Sequence, residues 1–485
     1  MCGLALLLGS CAVGPTYRRP PPPPVDHYVR GADPVDTPQA QGVAQSFVPG
    51  AALTGDWWHP FHSPAIDEVV TQALRNNPGL DAARASLRQS EDTLRSGYGI
   101  FFPQAELDAS GIRQRFTTAR FGEAQPSSIF NLFTLSASVS YVLDVFGGER
   151  RMVEGLKTQV DLARANEAGV YIALIANIVN TVVARAAYQA EIDATQRLID
   201  LQSEQVKIAR IQAQAGTVPY SSVLSLQSQL ASYQAGIPQL QQKLSQSEDL
   251  LATLAGYAPA QWDAPKVTLA ELSLPRELPV EVPSELVSRR PDILMAEANA
   301  HAASANLGVA TANMLPSITL TGDYSANALR TQNLLSSKGR AWSAAADLTA
   351  PIFEGGTLWY RRKAAVDAYR QTSALYRQTV LGAFAQVADT LRALEHDAAA
   401  LAAEDLALDS AREALKLVNY NYSAGLATYL DVLNADAQYH QAKINDLAGT
   451  AVRYQDTVAL YMALGGGWWN ASPAVTTDER VSSRR

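Results

Sequence analysis

Few residues in this chain have the type and spacing to do chemistry, and the clearest of them is a thiol. The only two cysteines are Cys2 and Cys11. Both lie in a short apolar run that closes on small residues, as a secretory signal does. Leu8-Gly9-Ser10-Cys11 has the pattern of a bacterial lipobox, which makes residues 1–10 a signal peptide and Cys11 the lipidated first mature residue. The basic opening of such a signal is missing, which points to a start codon upstream. Ala12 follows, a residue compatible with sorting to an outer membrane. His59 and His62 have metal-like spacing, but Pro60 separates them and no third ligand accompanies them, so no metal is expected. His440 falls on an apolar helical seam, where a packed, hydrogen-bonded imidazole is expected rather than a pH sensor. No G-x-S-x-G turn and no grouping of acid, base and nucleophile emerges. The reading is a protein that is not an enzyme and carries no cofactor.

Composition narrows the partners. The chain has 485 residues, 47% hydrophobic and 18% charged, with a formal net charge of −8. No Lys/Arg-rich block stands out, so nucleic acid is not an expected partner. No run of 18 or more apolar residues follows the N-terminus, which argues against a transmembrane helix. A transmembrane β-barrel leaves no such run and stays open.

The elements that would position these residues come in duplicate. Residues 11–55 hold Cys11 and a Pro-rich stretch, including Pro20 to Pro24, that reads as an extended tether. Beyond it, Leu315-Pro316 echoes Phe102-Pro103 at a shift of 213, and Ala424-Gly425 echoes Ala215-Gly216 at a shift of 209. Residues 56–255 and 284–463 are therefore two copies of one unit, joined by a linker over 256–283 and followed by a tail over 464–485. Each copy opens with a helix, 64–98 or 284–312, that Pro78 or Pro291 should break or kink near its start. Two strands follow. Phe133, Leu135, Ala137, Val139 and Tyr141 alternate with Thr134, Ser136, Ser138 and Ser140. The same period of two marks 104–110, 317–324 and 342–349, about the length of a tilted membrane-spanning strand. Periodicity alone does not separate that from a half-buried soluble sheet. Each copy then ends in two long helices. The 67 residues between Gly148 and Gly216 contain no strong breaker, and as one helix they would span roughly 100 Å. After the glycine turns, apolar residues recur at spacings of 3 and 4 from Val223 to Leu254 and from Leu430 to Tyr461, a coiled-coil pattern. Pro238 falls inside the first of these and should kink it.

Four strands cannot close a barrel, and an open sheet edge in lipid leaves backbone groups unpaired at several kcal/mol each. Membrane strands would have to be pooled among copies. Two chains give eight strands and an interior filled by side chains; three give twelve and room for water.

At this point the sequence resembles the outer-membrane factor (TolC-like) family, and within it the lipoprotein branch that serves resistance-nodulation-division pumps. The stretches that carry the resemblance are Trp57-Trp58-His-Pro-Phe61, Phe102-Pro103, Arg289-Arg-Pro-Asp-Ile293, Leu315-Pro316, Tyr422-Ser-Ala-Gly425, Tyr429-Leu-Asp-Val-Leu433 and Ala463-Leu-Gly-Gly-Gly-Trp468. The resemblance implies a mixed α and β membrane protein. It would be a homotrimeric, twelve-stranded transmembrane β-barrel, four strands per chain, continued by a long periplasmic α-helical barrel. It implies a passive exit channel in the outer membrane of a Gram-negative cell, anchored by lipid and loaded by a periplasmic adaptor and an inner-membrane pump. It also implies a gate at the helix tips marked by Gly216 and Gly425. Tyr422 would be a constriction tyrosine, and three copies of Asp431 a charged ring that raises at least one carboxyl pKa by like-charge repulsion. The chain departs from the family pattern where Asn434 and Ser222 replace acids and Ala427 replaces an arginine, so the gate would rely less on ion pairs. Taken without the resemblance, Asp431 is an acid near a helix N-terminus, where the dipole favours it. Two other readings remain: the outer-membrane duct of a type I protein secretion system, and a coiled-coil structural surface protein. Cargo is not legible in the sequence.

Overall fold

A computed structural model describes residues 12–117 and 126–470. Cys2, Cys11 and the signal peptide lie outside the described residues, as does the tail from residue 471. The chain forms two compact units.

The first unit gathers 86–164, 295–377 and the N-terminal segment up to Pro20. At its centre are β2 (Gln104–Phe116), β3 (Ser128–Leu143), β5 (Ser317–Ala328) and β6 (Arg340–Thr349), antiparallel in the order β2-β3-β5-β6. The register lines up side chains by type. Leu107, Ala137, Tyr324 and Trp342 form one cross-strand row, and the next row on that face holds Ala105, Val139, Gly322 and Ala344. On the other face Glu106, Ser138, Asp323 and Ser343 form a row. Successive residues point to opposite faces, so the alternation in sequence becomes one apolar and one polar face. Every residue of the two edge strands, β2 and β6, is exposed. The strands are longer than their alternation suggests, because β2 and β3 continue past Gly111 and Phe133, where the alternation inverts.

The N-terminal segment is bound to this unit. The Val13 N–H donates to the Phe146 carbonyl at 2.9 Å, just past the end of β3. Tyr17 stacks on His301 with ring centroids 4.5 Å apart. His301 reaches Glu154 at 2.7 Å, and Arg19 donates to Glu297 at 2.7 Å.

The second unit holds 21–85, 165–294 and 378–485. The expected opening helices are each two: α1 (Pro64–Asn76) and α2 (Pro78–Gly97), α5 (Pro283–Arg289) and α6 (Pro291–Ala312). The break falls before each proline, whose ring disfavours helical backbone at the preceding residue. The long helices are α3 (Gly148–Gln214), α4 (Tyr220–Leu254), α7 (Thr357–Ser423) and α8 (Tyr429–Ala463), with 67, 35, 67 and 35 residues. The apolar repeat positions of α4 and α8 are buried or half-buried, and none is exposed. α4 runs as one helix through Pro238. One 18-residue window of α3 reaches a mean hydropathy of 1.6 even though Asn177 and Asn180 interrupt its apolar run. Of that window, 72% is buried within the protein, as in a core helix. Ile175, Ile178 and Val183 from this stretch pack with Trp57, Phe61, Leu286, Leu391 and Val458 in one core. Trp57 stacks on Tyr461 at 5.1 Å, and the Trp468 indole N–H donates to the Arg289 carbonyl at 3.0 Å. Both tryptophan pairs therefore serve packing.

The segment expected as an extended tether is held against the rest of its unit. Residues 46–49 form β1, paired in parallel with β4 (Glu277–Val280) inside the expected linker. Arg453 of α8, only 1% exposed, holds the chain before it. Its guanidinium donates to the Val43 carbonyl at 3.0 Å, the Ala40 carbonyl at 3.2 Å and Gln45 Oε1 at 3.2 Å. Gln41 adds bonds to Asp446 Oδ1 at 2.9 Å and Thr450 Oγ1 at 2.8 Å. The desolvation of a buried cation is met here by backbone carbonyls.

Candidate functional site

The expected gate residues lie in the two turns that join long helices. Both turns close in the same way. After α3, the Gly216 N–H donates to the Ala213 carbonyl and the Thr217 N–H to the Gln212 carbonyl; after α7, Gly425 bonds to Tyr422 and Leu426 to Asn421. This is the Schellman pattern, which needs a left-handed residue at its centre. Gly216 has φ +76° and Gly425 φ +74°, so glycine is required by backbone geometry.

The two turns differ at the next step. Before α4 the capping position is Pro219, with no side-chain capping bond. Before α8 it is Thr428, in a reciprocal capping box with Asp431. Asp431 Oδ2 accepts from the Thr428 N–H at 2.8 Å and from its hydroxyl at 2.7 Å, while Thr428 Oγ1 accepts from the Asp431 N–H at 3.2 Å. The Thr428 hydroxyl, then its N–H, hold the Asp431 carboxyl below the usual carboxylate range. These bonds give Asp431 a structural role within one chain, as the cap of α8. Thr428 was not singled out in the sequence, although Thr-x-x-Asp before an apolar run is a readable capping signal.

The second tip brings Tyr422, Gly425, Thr428 and Asp431 together. The Tyr422 ring leans against Tyr429 with centroids 5.8 Å apart, and both are half-exposed. Asn434, almost one turn past Asp431, is exposed. Ser222 belongs to the first tip, where its N–H donates to the Pro219 carbonyl at 3.0 Å. Around these positions the tips expose large apolar side chains, Leu426 at 79%, Tyr420 at 71% and Tyr220 at 63%. His440 is packed as expected, but only one ring nitrogen has a partner: Nε2 lies 3.4 Å from Asp436, and Nδ1 is buried without one. Burial pulls its pKa down. His59 faces Asp67 at 3.4 Å, and among the described residues no group of three His, Cys, Asp or Glu is arranged to hold a metal.

The chain thus carries a four-stranded sheet with one apolar and one polar face and two exposed edge strands, and long helices joined by glycine turns. The outer membrane efflux protein family matches residues 69–257 and 282–466. The chain belongs to that family. Outer membrane protein OprJ of Pseudomonas aeruginosa is 30% identical over 481 residues, covering 96% of this chain and 95% of that protein. The pyoverdine export outer membrane protein OpmQ of Pseudomonas putida is 29% identical over 423 residues, covering 86% and 89%. Among solved structures, the outer-membrane channel OprN superposes with a TM-score of 0.83 at 26% identity, over 94% of this chain and all of the other. The open state of the MtrE channel of Neisseria gonorrhoeae gives 0.79 at 25% identity, covering 94% and 99%. This outer membrane efflux protein is a passive exit channel of a tripartite efflux system, in the outer membrane of a Gram-negative cell and reaching into its periplasm.

Proposed function

We propose that three copies of this outer membrane efflux protein pool their strands into a twelve-stranded barrel, with the helical hairpins continuing it as a tube gated at its tips. The observation that carries the reading is the four-stranded sheet with exposed edges β2 and β6 and uncharged apolar rows across one face. Such a face is stable against lipid only when both edges are paired. The opposite face, with Glu106, Asp108, Asp323 and Asp347, suits a wet, cation-favouring lumen. Acylation of Cys11 fits the hydrogen bond from Val13 to the foot of β3, which holds the mature N-terminus beside the second of the four strands. The exposed Leu426, Tyr420 and Tyr220 suit a periplasmic adaptor, since clustered apolar side chains mark contact surfaces. The pump behind it belongs to the resistance-nodulation-division class. The cargo is small organic molecules, in line with the names of relatives that export pyoverdine, antibiotics and toluene.

Single-channel conductance of the detergent-extracted protein in planar bilayers tests this reading. Wild type should pass small, cation-selective currents. If Asp431 forms a charged constriction, Asp431→Asn should lower cation selectivity while Thr428→Ala, which removes only the cap, leaves it intact. Equal effects of the two variants would reduce Asp431 to a capping residue. A monomer by mass with no pore would overturn the trimeric barrel in favour of a structural surface protein.

A further inference from the structure

The inversion of the strand alternation at Gly111 and Phe133 points to a lipid site. It rests on the barrel reading above. Up to that pair, the face that carries Leu107 and Tyr324 has no charged residue on β2, β3 or β5, from Ala105 to Gly111, Phe133 to Leu143 and Ile318 to Ala328, and none on β6 from Trp342 to Leu348. Beyond it, with no break in register, the same face turns basic. Arg113 lies opposite Asn131, and Arg115 opposite Ile129. At the other edge of the sheet that face ends at Arg340, opposite Ala326. Its only charges are thus three guanidinium groups at one end. The polar face changes in the opposite sense, with Ile112 facing Leu132. A slip of register would move every residue of a strand across the sheet, but pairing is continuous from Gln104↔Ser140 to Phe116↔Ser128.

The spacing fits a membrane boundary. From Leu143 to Phe133 is ten residue steps, about 33 Å of strand, and about 25 Å of membrane depth at the tilt of barrel strands, the height of an apolar band. Arg113 and Arg115 lie just past it and Arg340 at its last rows, in line with Ala109, Leu135 and Ala326, all on the side away from the helices, which is the outer leaflet. Their bonds within the described residues are to neutral groups only. Arg113 donates to Asn131 Oδ1 at 3.4 Å, Arg115 to Ser127 Oγ at 2.9 Å and Arg340 to the Leu335 carbonyl at 3.3 Å. Each keeps further N–H donors for an anion. Closing the barrel puts β6 of one copy beside β2 of the next, which brings the arginines of the two edges to one seam.

We propose that Arg113, Arg115 and Arg340 form a cationic collar that binds the phosphate groups of the outer-leaflet saccharolipid. A guanidinium matches a phosphate with paired hydrogen bonds.

The test is native mass spectrometry of the detergent-solubilised full chain, titrated with lipid A and with lipid A stripped of its phosphates. Wild type should retain the phosphorylated lipid preferentially, and added salt should weaken the retention. Each arginine near a charged lipid surface is worth about a fivefold change in binding. Arg113→Gln/Arg115→Gln/Arg340→Gln should therefore lose roughly a hundredfold, and Arg113→Lys/Arg115→Lys/Arg340→Lys should lose much less. Conductance in phosphatidylcholine bilayers confirms that the glutamine variant is assembled; if it is not, Arg340→Gln alone should show the fivefold loss. Equal retention by an assembled variant, or no preference for the phosphorylated lipid, would overturn the collar and leave the barrel standing. A wild type that is monomeric and forms no pore would instead overturn the barrel.

Discussion

Asp456 of α8 faces Asp397 of α7, and burial, more than that neighbour, pushes its carboxyl up to about 7. The sign follows from linkage. Below about pH 4 both folded and unfolded chains hold this proton. As pH rises from there, the unfolded chain releases it and the folded chain keeps it. Stability therefore falls from about pH 4 until the folded carboxyl ionises, and is level beyond. Glu404 and Asp446 are raised by burial in the same sense. Asp456→Asn should flatten the decline without abolishing it. The check is thermal melting followed by circular dichroism from about pH 4 to about pH 8, where wild-type and variant curves should diverge as pH rises. Parallel curves would mean that the pair carries no proton linkage. Nothing in the sequence pairs these two aspartates, which are 59 positions apart; only the packing of α7 against α8 brings them together.

At the scale of elements, the decisive unit is the N-terminal segment strapped onto α8 by Arg453. Arg453→Met would leave the carbonyls of Ala40 and Val43 and the amide of Gln45 without their charged donor. Hydrogen bonds to a charged group contribute about 1.5–3 kcal/mol each, and breaking such a buried set costs on the order of 3–5 kcal/mol in all. The expected result is rapid proteolytic cleavage within 21–55 while the helices stay resistant. Unchanged protection would show that β1 and β4 hold the segment without the arginine. This strap was not legible in the sequence. Arg453 is one arginine in a long helix, and β1 and β4 are four-residue strands, one ending at Pro49 and the other containing Pro279, too short to show a period. The helix breaks at Pro78 and Pro291 were legible, because proline acts locally on the residue before it. So were the tip glycines, whose positive φ is a local demand.

For the molecule as a whole, the sheet faces decide what surrounds the chain. Leu107→Lys places a charge in the middle of the apolar rows and should cost about 2–4 kcal/mol if that face meets lipid. Ser138→Lys lies between Glu106 and Asp323 on the other face, and should assemble normally while weakening cation selectivity. Heat-modifiable oligomer recovered from the outer-membrane fraction separates the two, and equal recovery would mean that lipid does not cover the apolar face. The alternation that defines these faces was readable residue by residue. The strand ends were not, because at Ile112 and Arg113 the pattern reverses and looks like a stop. The tips carry one more consequence. Pro219 opens one helix without a side-chain cap and Thr428 opens the other with one, so the two hairpins are not interchangeable. A closed ring of three chains would present six tips of two kinds, with true threefold and only approximate sixfold symmetry. Any partner gripping all six would meet two chemically different footholds in alternation, and neighbouring copies of that partner would not be equivalent.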